Sequence, residues 1–160
     1  MEISNIGILG CGQMGSGIAE VAAKSGYEVT ICEVNDKVLS TGLGKIQKSL
    51  AKAVERGKLA ADVMEATLAR ITGTVHLADL ADCDIVIEAI FEDLATKQRV
   101  FGELDQVVKP EAILATNTSS ISIAAIAAAT QRGDKVIGMH FFNPVPVMQL
   151  VEYVPSILTS

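Results

Sequence analysis

His140 and Glu152 have the chemistry of a proton-abstracting pair: an imidazole and a carboxylate flanking the segment His140-Phe-Phe-Asn-Pro-Val-Pro146. Two prolines within three residues make that segment an extended, rigid turn, so its flanks are expected to return toward each other. A carboxylate bonded to one ring nitrogen fixes the tautomer and leaves the other nitrogen free to take a proton. An alcohol dehydrogenase working without a metal needs such a base, because removing the hydroxyl proton lets the carbon's hydride depart.

A departing hydride needs an acceptor, and the other end of the chain has the pattern for one. Gly10-Cys11-Gly12-Gln13-Met14-Gly15 follows an apolar strand pattern at Ile3–Leu9 and opens a helical pattern at Gln13–Lys24. In a strand–turn–helix context, Gly10 permits the tight turn, Gly12 lets backbone approach a pyrophosphate, and Gly15 lets the helix pack on the sheet. The helix N-terminus, with Gln13 and Met14 in its first turn, offers N–H groups and partial positive charge to the phosphates. Glu33 stands 18 residues past Gly15, after a second strand pattern at Glu28–Cys32. A carboxylate there accepts from ribose hydroxyls and repels a 2′-phosphate, which favours NAD over NADP. Lys37 is the one nearby cation that could blunt this choice.

The elements that must position these groups alternate along the chain. Asn35 or Asp36 caps a long helix to about Arg56, Gly57 stops it, and a short helix at Ala61–Ala69 precedes a strand at Ile71–Val75. Asp84-Ile-Val-Ile-Glu88 reads as a strand buried on both faces, delivering Glu92 to the sheet's C-terminal edge. A helix over Leu94–Val108 has Lys97 in its first turn, where a cation opposes the helix dipole unless an anion partners it. Strands at Ala112–Thr116 and Lys135–Met139 follow, separated by a helix over Ile121–Ala129, and Met148–Val154 reads as one more strand. The polar run Thr116-Asn-Thr-Ser-Ser120 exceeds what capping that helix requires. The resulting fold class is α/β: a doubly wound, Rossmann-type, mostly parallel sheet with a final extra strand. Glu92, Asn117–Ser120 and His140 then share the edge where a nicotinamide would lie.

Bulk properties narrow the partners. The net charge of −6 argues against nucleic acid as a partner, and the hydrophobic share of 49 % against disorder. No apolar run of about 18 residues is present, so no membrane span is expected. Cys11, Cys32 and Cys83 lack metal-ligand spacing and read as reduced thiols, which suits a cytoplasmic location. Lys45, Lys48, Lys52 and Arg56 recur at steps of three and four on one helix face. That stripe is either an ordinary solvated face or a site for an anionic ligand.

Over essentially all its length the chain resembles the NAD-binding domain of 3-hydroxyacyl-CoA dehydrogenases, and more particularly of bacterial 3-hydroxybutyryl-CoA dehydrogenases. The resemblance rests on Ile6-Gly-Ile-Leu-Gly-Cys-Gly-Gln-Met-Gly15, Ala81-Asp-Cys-Asp-Ile-Val-Ile-Glu-Ala89, Asn117-Thr-Ser-Ser120 and Gly138-Met-His-Phe-Phe-Asn-Pro-Val-Pro-Val-Met148. It implies that His140 is the general base, that Glu152 orients it, and that Ser119 contacts substrate and nicotinamide. It further implies that Glu92, Lys97 and Asn143 line the nicotinamide-ribose side. Ser49 and Arg56, with Lys52 as a helper, would approach the phosphates of an acyl-CoA substrate, which decides the stripe for the anion. Glu33 departs from the aspartate frequent in the family, but its longer reach suits the same bonds.

The family continues into a helical domain that supplies dimer contacts and a wall of the substrate cleft. This chain is expected to lack that domain, and Val154-Pro155-Ser156 departs from the family pattern just before the end. Residues 1–160 are therefore read as one NAD-binding domain with a half-open site, monomeric or weakly self-associating, with Phe141 and Phe142 exposed. Alternatives are an NAD(H)-binding module without chemistry, a subunit completed by another chain, and a dehydrogenase of free 3-hydroxy acids.

Overall fold

In the computed structural model, which describes residues 1–160, strand and helix alternate as β1 (Asn5–Leu9), α1 (Gln13–Lys24), β2 (Glu28–Cys32), α2 (Asp36–Glu55), α3 (Ala61–Ala69) and β3 (Ile71–Thr74). The second half runs β4 (Ile85–Glu88), α4 (Leu94–Val107), β5 (Ile113–Thr116), α5 (Ile123–Ala127), β6 (Val136–Phe141) and β7 (Val151–Pro155). All strands join one seven-stranded sheet in the order β3-β2-β1-β4-β5-β6-β7. The first six pair in parallel and β7 is antiparallel to β6. The order reverses between β1 and β4, which opens a crevice beyond their C-terminal ends.

Alternation of side chains along the strands divides the interior into two cores. Ile6, Ile8, Ile85, Ile87 and Ala115 face α1 and α2, whereas Leu9, Val86 and Leu114 face α4 and α5. Phe101 and Leu104 of α4 are fully buried in the second core, each contributing about 1.5–3 kcal/mol. Leu39, Gly42, Ile46 and Leu50 form the buried face of α2, and Lys45, Lys48, Lys52 and the capping Arg56 stay exposed. The α4 C-terminus is held by Arg132, whose guanidinium donates to the carbonyls of Asp105 and Val108. All three cysteines are buried; burial first and a neighbouring carboxylate second push each thiol up to about 11, so they stay protonated and inert. No helix is long and apolar enough to cross a membrane.

Three elements near the site differ in extent from the sequence reading, each for a local hydrogen-bonding reason. The helix expected over Ile121–Ala129 shortens to α5, because Thr118 Oγ1 accepts the N–H of Ile121 (3.0 Å) and forms a turn. Its cap is Ser122, outside the Thr116–Ser120 run. The sixth strand extends past Met139 through His140 to Phe141, since β7 continues to pair with it there. β7 begins at Val151 and not Met148, because the N–H groups of Val147 and Met148 both donate to the carbonyl of Pro144. Phe141 was expected to be exposed but is 9 % exposed and packs in the first core; Phe142 is half-buried. A run of exposed apolar side chains lies on β7 and its flanks, at Val147, Leu150, Tyr153 and Ile157.

Asp84 ties the opposite end of the sheet together. Its Oδ2 accepts the N–H groups of Ser4 (2.7 Å) and Asn5 (2.8 Å), and Lys109 pairs with Oδ1. The Asn5 N–H, then Lys109 and the Ser4 N–H, hold the carboxyl down from an ordinary 3.8 to about 2. Because the folded value lies below the unfolded one, this stabilisation is complete above about pH 4 and disappears as pH falls toward about 2. D84N is expected to lose about 2 kcal/mol near neutral pH and almost nothing near pH 2. Urea unfolding of both proteins across that range checks it; a pH-independent difference would show that the charge is not responsible.

Candidate active site

The glycines of the first turn are held by packing, and one of them leaves room. Gly10 has φ of +96°, and a Cβ there would lie 2.7 Å from the carbonyl oxygen of Ala89. A Cβ on Gly15 would lie 1.9 Å from the carbonyl oxygen of Gly10, so only glycine lets α1 leave the sheet at this angle. At Gly12 an added Cβ meets nothing within 4 Å. No side chain caps α1 and no acidic residue stands in its first turn. An open backbone at a helix N-terminus without a competing carboxylate fits a pyrophosphate.

Glu33 ends beside this turn. Its Oε1 accepts the N–H of Cys11 (2.6 Å) and its Oε2 accepts that of Val34 (2.9 Å). Each carboxylate oxygen keeps a lone pair for a ribose hydroxyl. Cys11 in turn seats α2: a Cβ on Gly42 would come 2.1 Å from its Sγ. These residues fit a bound dinucleotide, NAD above NADP.

Beyond the C-terminal ends of β1, β4, β5 and β6 lies an open cleft of about 360 Å³. Met14, Glu92, Ser119, His140 and Asn143, all singled out from the sequence, line it together with Asn117. Glu152 does not line it, but β6–β7 pairing sets Glu152 opposite His140, and Nδ1 lies 3.3 Å from Glu152 Oε2. The histidine side chain is 26 % exposed and the glutamate 54 %, so the pair borders solvent. Gln13 Nε2 donates to Asn143 Oδ1 (3.3 Å), linking the glycine turn to the segment after β6. Asn117 Oδ1 accepts the N–H of Phe141 (2.9 Å), which fastens the β5 turn beside the histidine.

Lys97 lies beneath the cleft and not along it. It is 1 % exposed, and its Nζ contacts Glu88 Oε1 at 2.6 Å and Glu92 Oε1 at 3.2 Å. Glu88, fully buried at the end of β4, also accepts the Ile90 N–H (2.8 Å) and the Thr116 hydroxyl (2.7 Å). Glu92 Oε2 accepts from Thr118 Oγ1 (2.6 Å) and Ser120 Oγ (3.2 Å). Partial burial pushes the Glu92 carboxyl up, but the Thr118 hydroxyl and Lys97 outweigh it and hold the group ionised below its ordinary range. From the sequence, Thr116 and Thr118 stood only as members of a polar run and Glu88 as a strand end, without this network. Two signals were available: a carboxylate ending a strand buried on both faces, and a lysine misplaced against a helix dipole. Each misfit resolves the other.

A second pair of cavities runs along α2. One, of about 480 Å³, is lined by Gln13, Glu20, Lys45, Ser49, Asn143 and Pro146 among others. Its neighbour, of about 430 Å³, has Glu20, Lys24, Ser49, Lys52, Arg56 and Lys58 on its walls. The groove thus has Ser49, Lys52 and Arg56 on its walls, while Lys48 lines neither part. It also holds Glu20, which the sequence reading passed over: Ser49 Oγ donates to Glu20 Oε1 (3.0 Å).

Comparison with known proteins places the fold in a family. The family model described as "3-hydroxyacyl-CoA dehydrogenase, NAD binding domain" matches residues 5–160. A probable 3-hydroxybutyryl-CoA dehydrogenase of Deinococcus radiodurans is 53 % identical over 154 residues, covering 96 % of this chain and 55 % of that protein. A 3-hydroxybutyryl-CoA dehydrogenase of Mycobacterium tuberculosis is 49 % identical over 159 residues, covering 99 % and 56 %. The crystal structure of M. tuberculosis FadB2 superposes with a TM-score of 0.98 at 48 % identity, over all of this chain and 56 % of the other. This chain spans about half the length of the curated relatives named here.

Two substitutions test the architecture. K97M strands the Glu88 charge in the interior and is expected to cost about 3–5 kcal/mol by urea unfolding. The double variant E88Q/K97M should be less destabilised than K97M alone, because no buried charge is left over. G12A keeps the fold, at a cost of no more than about 1 kcal/mol. Its methyl nevertheless occupies the space left for the cofactor, so the Kd for NADH is expected to rise about tenfold or more in a fluorescence titration. Unchanged NADH affinity in folded G12A would remove the turn from the binding site.

Proposed function

The chain belongs to the 3-hydroxyacyl-CoA dehydrogenase family as its NAD-binding domain, and from that premise we propose that it carries the cofactor-side half of a site interconverting (S)-3-hydroxyacyl-CoA, 3-hydroxybutyryl-CoA first, with 3-oxoacyl-CoA. The observation that carries this reading is His140, paired through Nδ1 to Glu152 and lining the cleft that opens from the glycine turn. Bound NAD supplies the hydride acceptor. Glu152 accepts Nδ1–H and so leaves Nε2 unprotonated toward the cleft, ready to take the substrate hydroxyl's proton. Ser119 offers a hydroxyl to the same space, and Glu92, backed by Lys97, and Asn143 present polar groups toward the ribose of the nicotinamide. Glu33 favours a free 2′-hydroxyl over a phosphate. Ser49, Lys52 and Arg56 hold the coenzyme A phosphates, a local field that the net charge of −6 does not cancel.

The cleft is open to water: Phe91 on its wall is 69 % exposed. Water screens the charges that must stabilise the transferring hydride, so this chain by itself is expected to bind NADH well and to turn over slowly.

Single-turnover oxidation of NADH by acetoacetyl-CoA, with the chain in excess, tests the assignment. H140A is expected to slow the step by about 10²–10⁴ while the Kd for NADH stays within about twofold. An unchanged rate in H140A would leave a binding module without chemistry. Equal rates with acetoacetate and its thioester would remove coenzyme A from the substrate.

A further inference from the structure

Glu20 takes no part in the proton or hydride transfers, yet it occupies a costly position. It projects from α1, is 4 % exposed, and is the one carboxylate on the walls of the two adjoining cavities that Ser49 lines. Every other charged residue there is a cation: Lys24 on α1, Lys45, Lys52 and Arg56 at α2, and Lys58 just after it. The fourth wall, formed by Asn143, Pro144, Val145, Pro146 and Val147, has no titratable group. A groove built to hold phosphate would gain by replacing this carboxylate with a neutral group, unless the charge is removable.

The single hydrogen bond between Ser49 and Glu20 supplies the means. A serine hydroxyl has one proton, and here it is donated to Glu20 Oε1 at 3.0 Å. While that bond stands, Ser49 can offer only lone pairs to the groove, and a phosphate, which is all acceptor, finds no donor there. Once Glu20 is protonated, its own O–H donates to Ser49 Oγ, and the serine proton turns outward to a phosphate oxygen. The negative charge nearest the ligand vanishes in the same step.

We propose that Glu20 is a positioning residue of this groove, coupling the binding of a coenzyme A phosphate at Ser49 to the uptake of one proton. This rests on the coenzyme A reading above and adds to it a second carboxylate whose protonation state the substrate controls. Burial already pushes the Glu20 carboxyl above its ordinary 4.5, with the Ser49 hydroxyl and Lys24 offsetting only part of that rise. An arriving phosphate pushes it further in the same direction. Affinity is therefore highest with Glu20 protonated and declines as pH rises through its titration, since more of the free protein must then gain a proton to bind.

Calorimetric titration of free coenzyme A into the chain, in paired buffers of different ionisation enthalpy, counts the protons taken up. Coenzyme A's own phosphate monoester titrates near about pH 6, so E20Q provides the baseline. Wild type is expected to take up more protons than E20Q at pH values above the titration of free Glu20. E20Q, whose amide donates permanently to Ser49, should bind about five- to tenfold more tightly there, with the excess pH dependence gone. In S49A, with Glu20 intact, the excess uptake should shrink, and R56A should weaken binding throughout. Equal proton uptake in wild type and E20Q, or an excess unchanged in S49A, overturns the coupling while leaving the coenzyme A groove standing. Coenzyme A that fails to bind, or binds indifferently to R56A, overturns both.

Discussion

The ion pair between Lys97 and Glu88 is the constraint on which the rest of this structure depends. Both side chains are essentially without solvent contact, and withdrawing two such charges from water costs several kcal/mol each. The arrangement is tolerable because both Glu88 oxygens are also satisfied, by the Ile90 N–H and the Thr116 hydroxyl. Those four groups belong to β4, its following turn, β5 and α4. An uncompensated charge in the core would be far costlier than a loose surface contact, so the elements are held in one mutual arrangement at the edge where the cleft opens. Glu92 extends the network to the surface of that cleft, its carboxylate oriented before any ligand arrives.

A second constraint is steric, and it complements the first. Gly10, Gly15 and Gly42 are closed off by backbone or by Cys11, so β1, α1 and α2 meet at contact distance. Gly12 remains open in the midst of them. Tight packing around one vacant position is what leaves the N-terminus of α1 accessible without leaving it flexible. The same packing brings α2 alongside α1, and the groove with Ser49, Lys52 and Arg56 forms along that contact. The bond from Gln13 to Asn143 spans the cofactor turn and the segment after β6. The cleft beside the glycine turn and the groove along α2 are therefore two sides of one packed unit.

Much of this was legible in the chain itself. The continuous apolar runs of β1 and β4 follow from burial of those strands inside the sheet. Asn35 and Gly57 mark the ends of α2 for reasons confined to a single turn: an Asn35 side chain accepting the Val38 N–H, and a φ of +68° at Gly57. The glycine turn, Glu33 and His140 were identifiable because each acts through chemistry local to a strand end. The limits of α5 and β7 were not, since they are set by Thr118, by Pro144 and by pairing with β6, which propensity does not encode.

Sequence by itself thus determined the alternating elements, the doubly wound topology, the cofactor turn and the residues able to take a proton, because these depend on periodicity, backbone freedom and side-chain type. Tertiary structure alone decided which distant groups become partners. Lys97 finds Glu88 across a helix–strand contact and Ser49 reaches Glu20 between two helices, while the expected meeting of Glu152 with His140 takes its register from an antiparallel pair. Such pairings are fixed by the angle and spacing at which elements pack, and a charge's partner is chosen by proximity in the folded interior, where leaving it alone costs most.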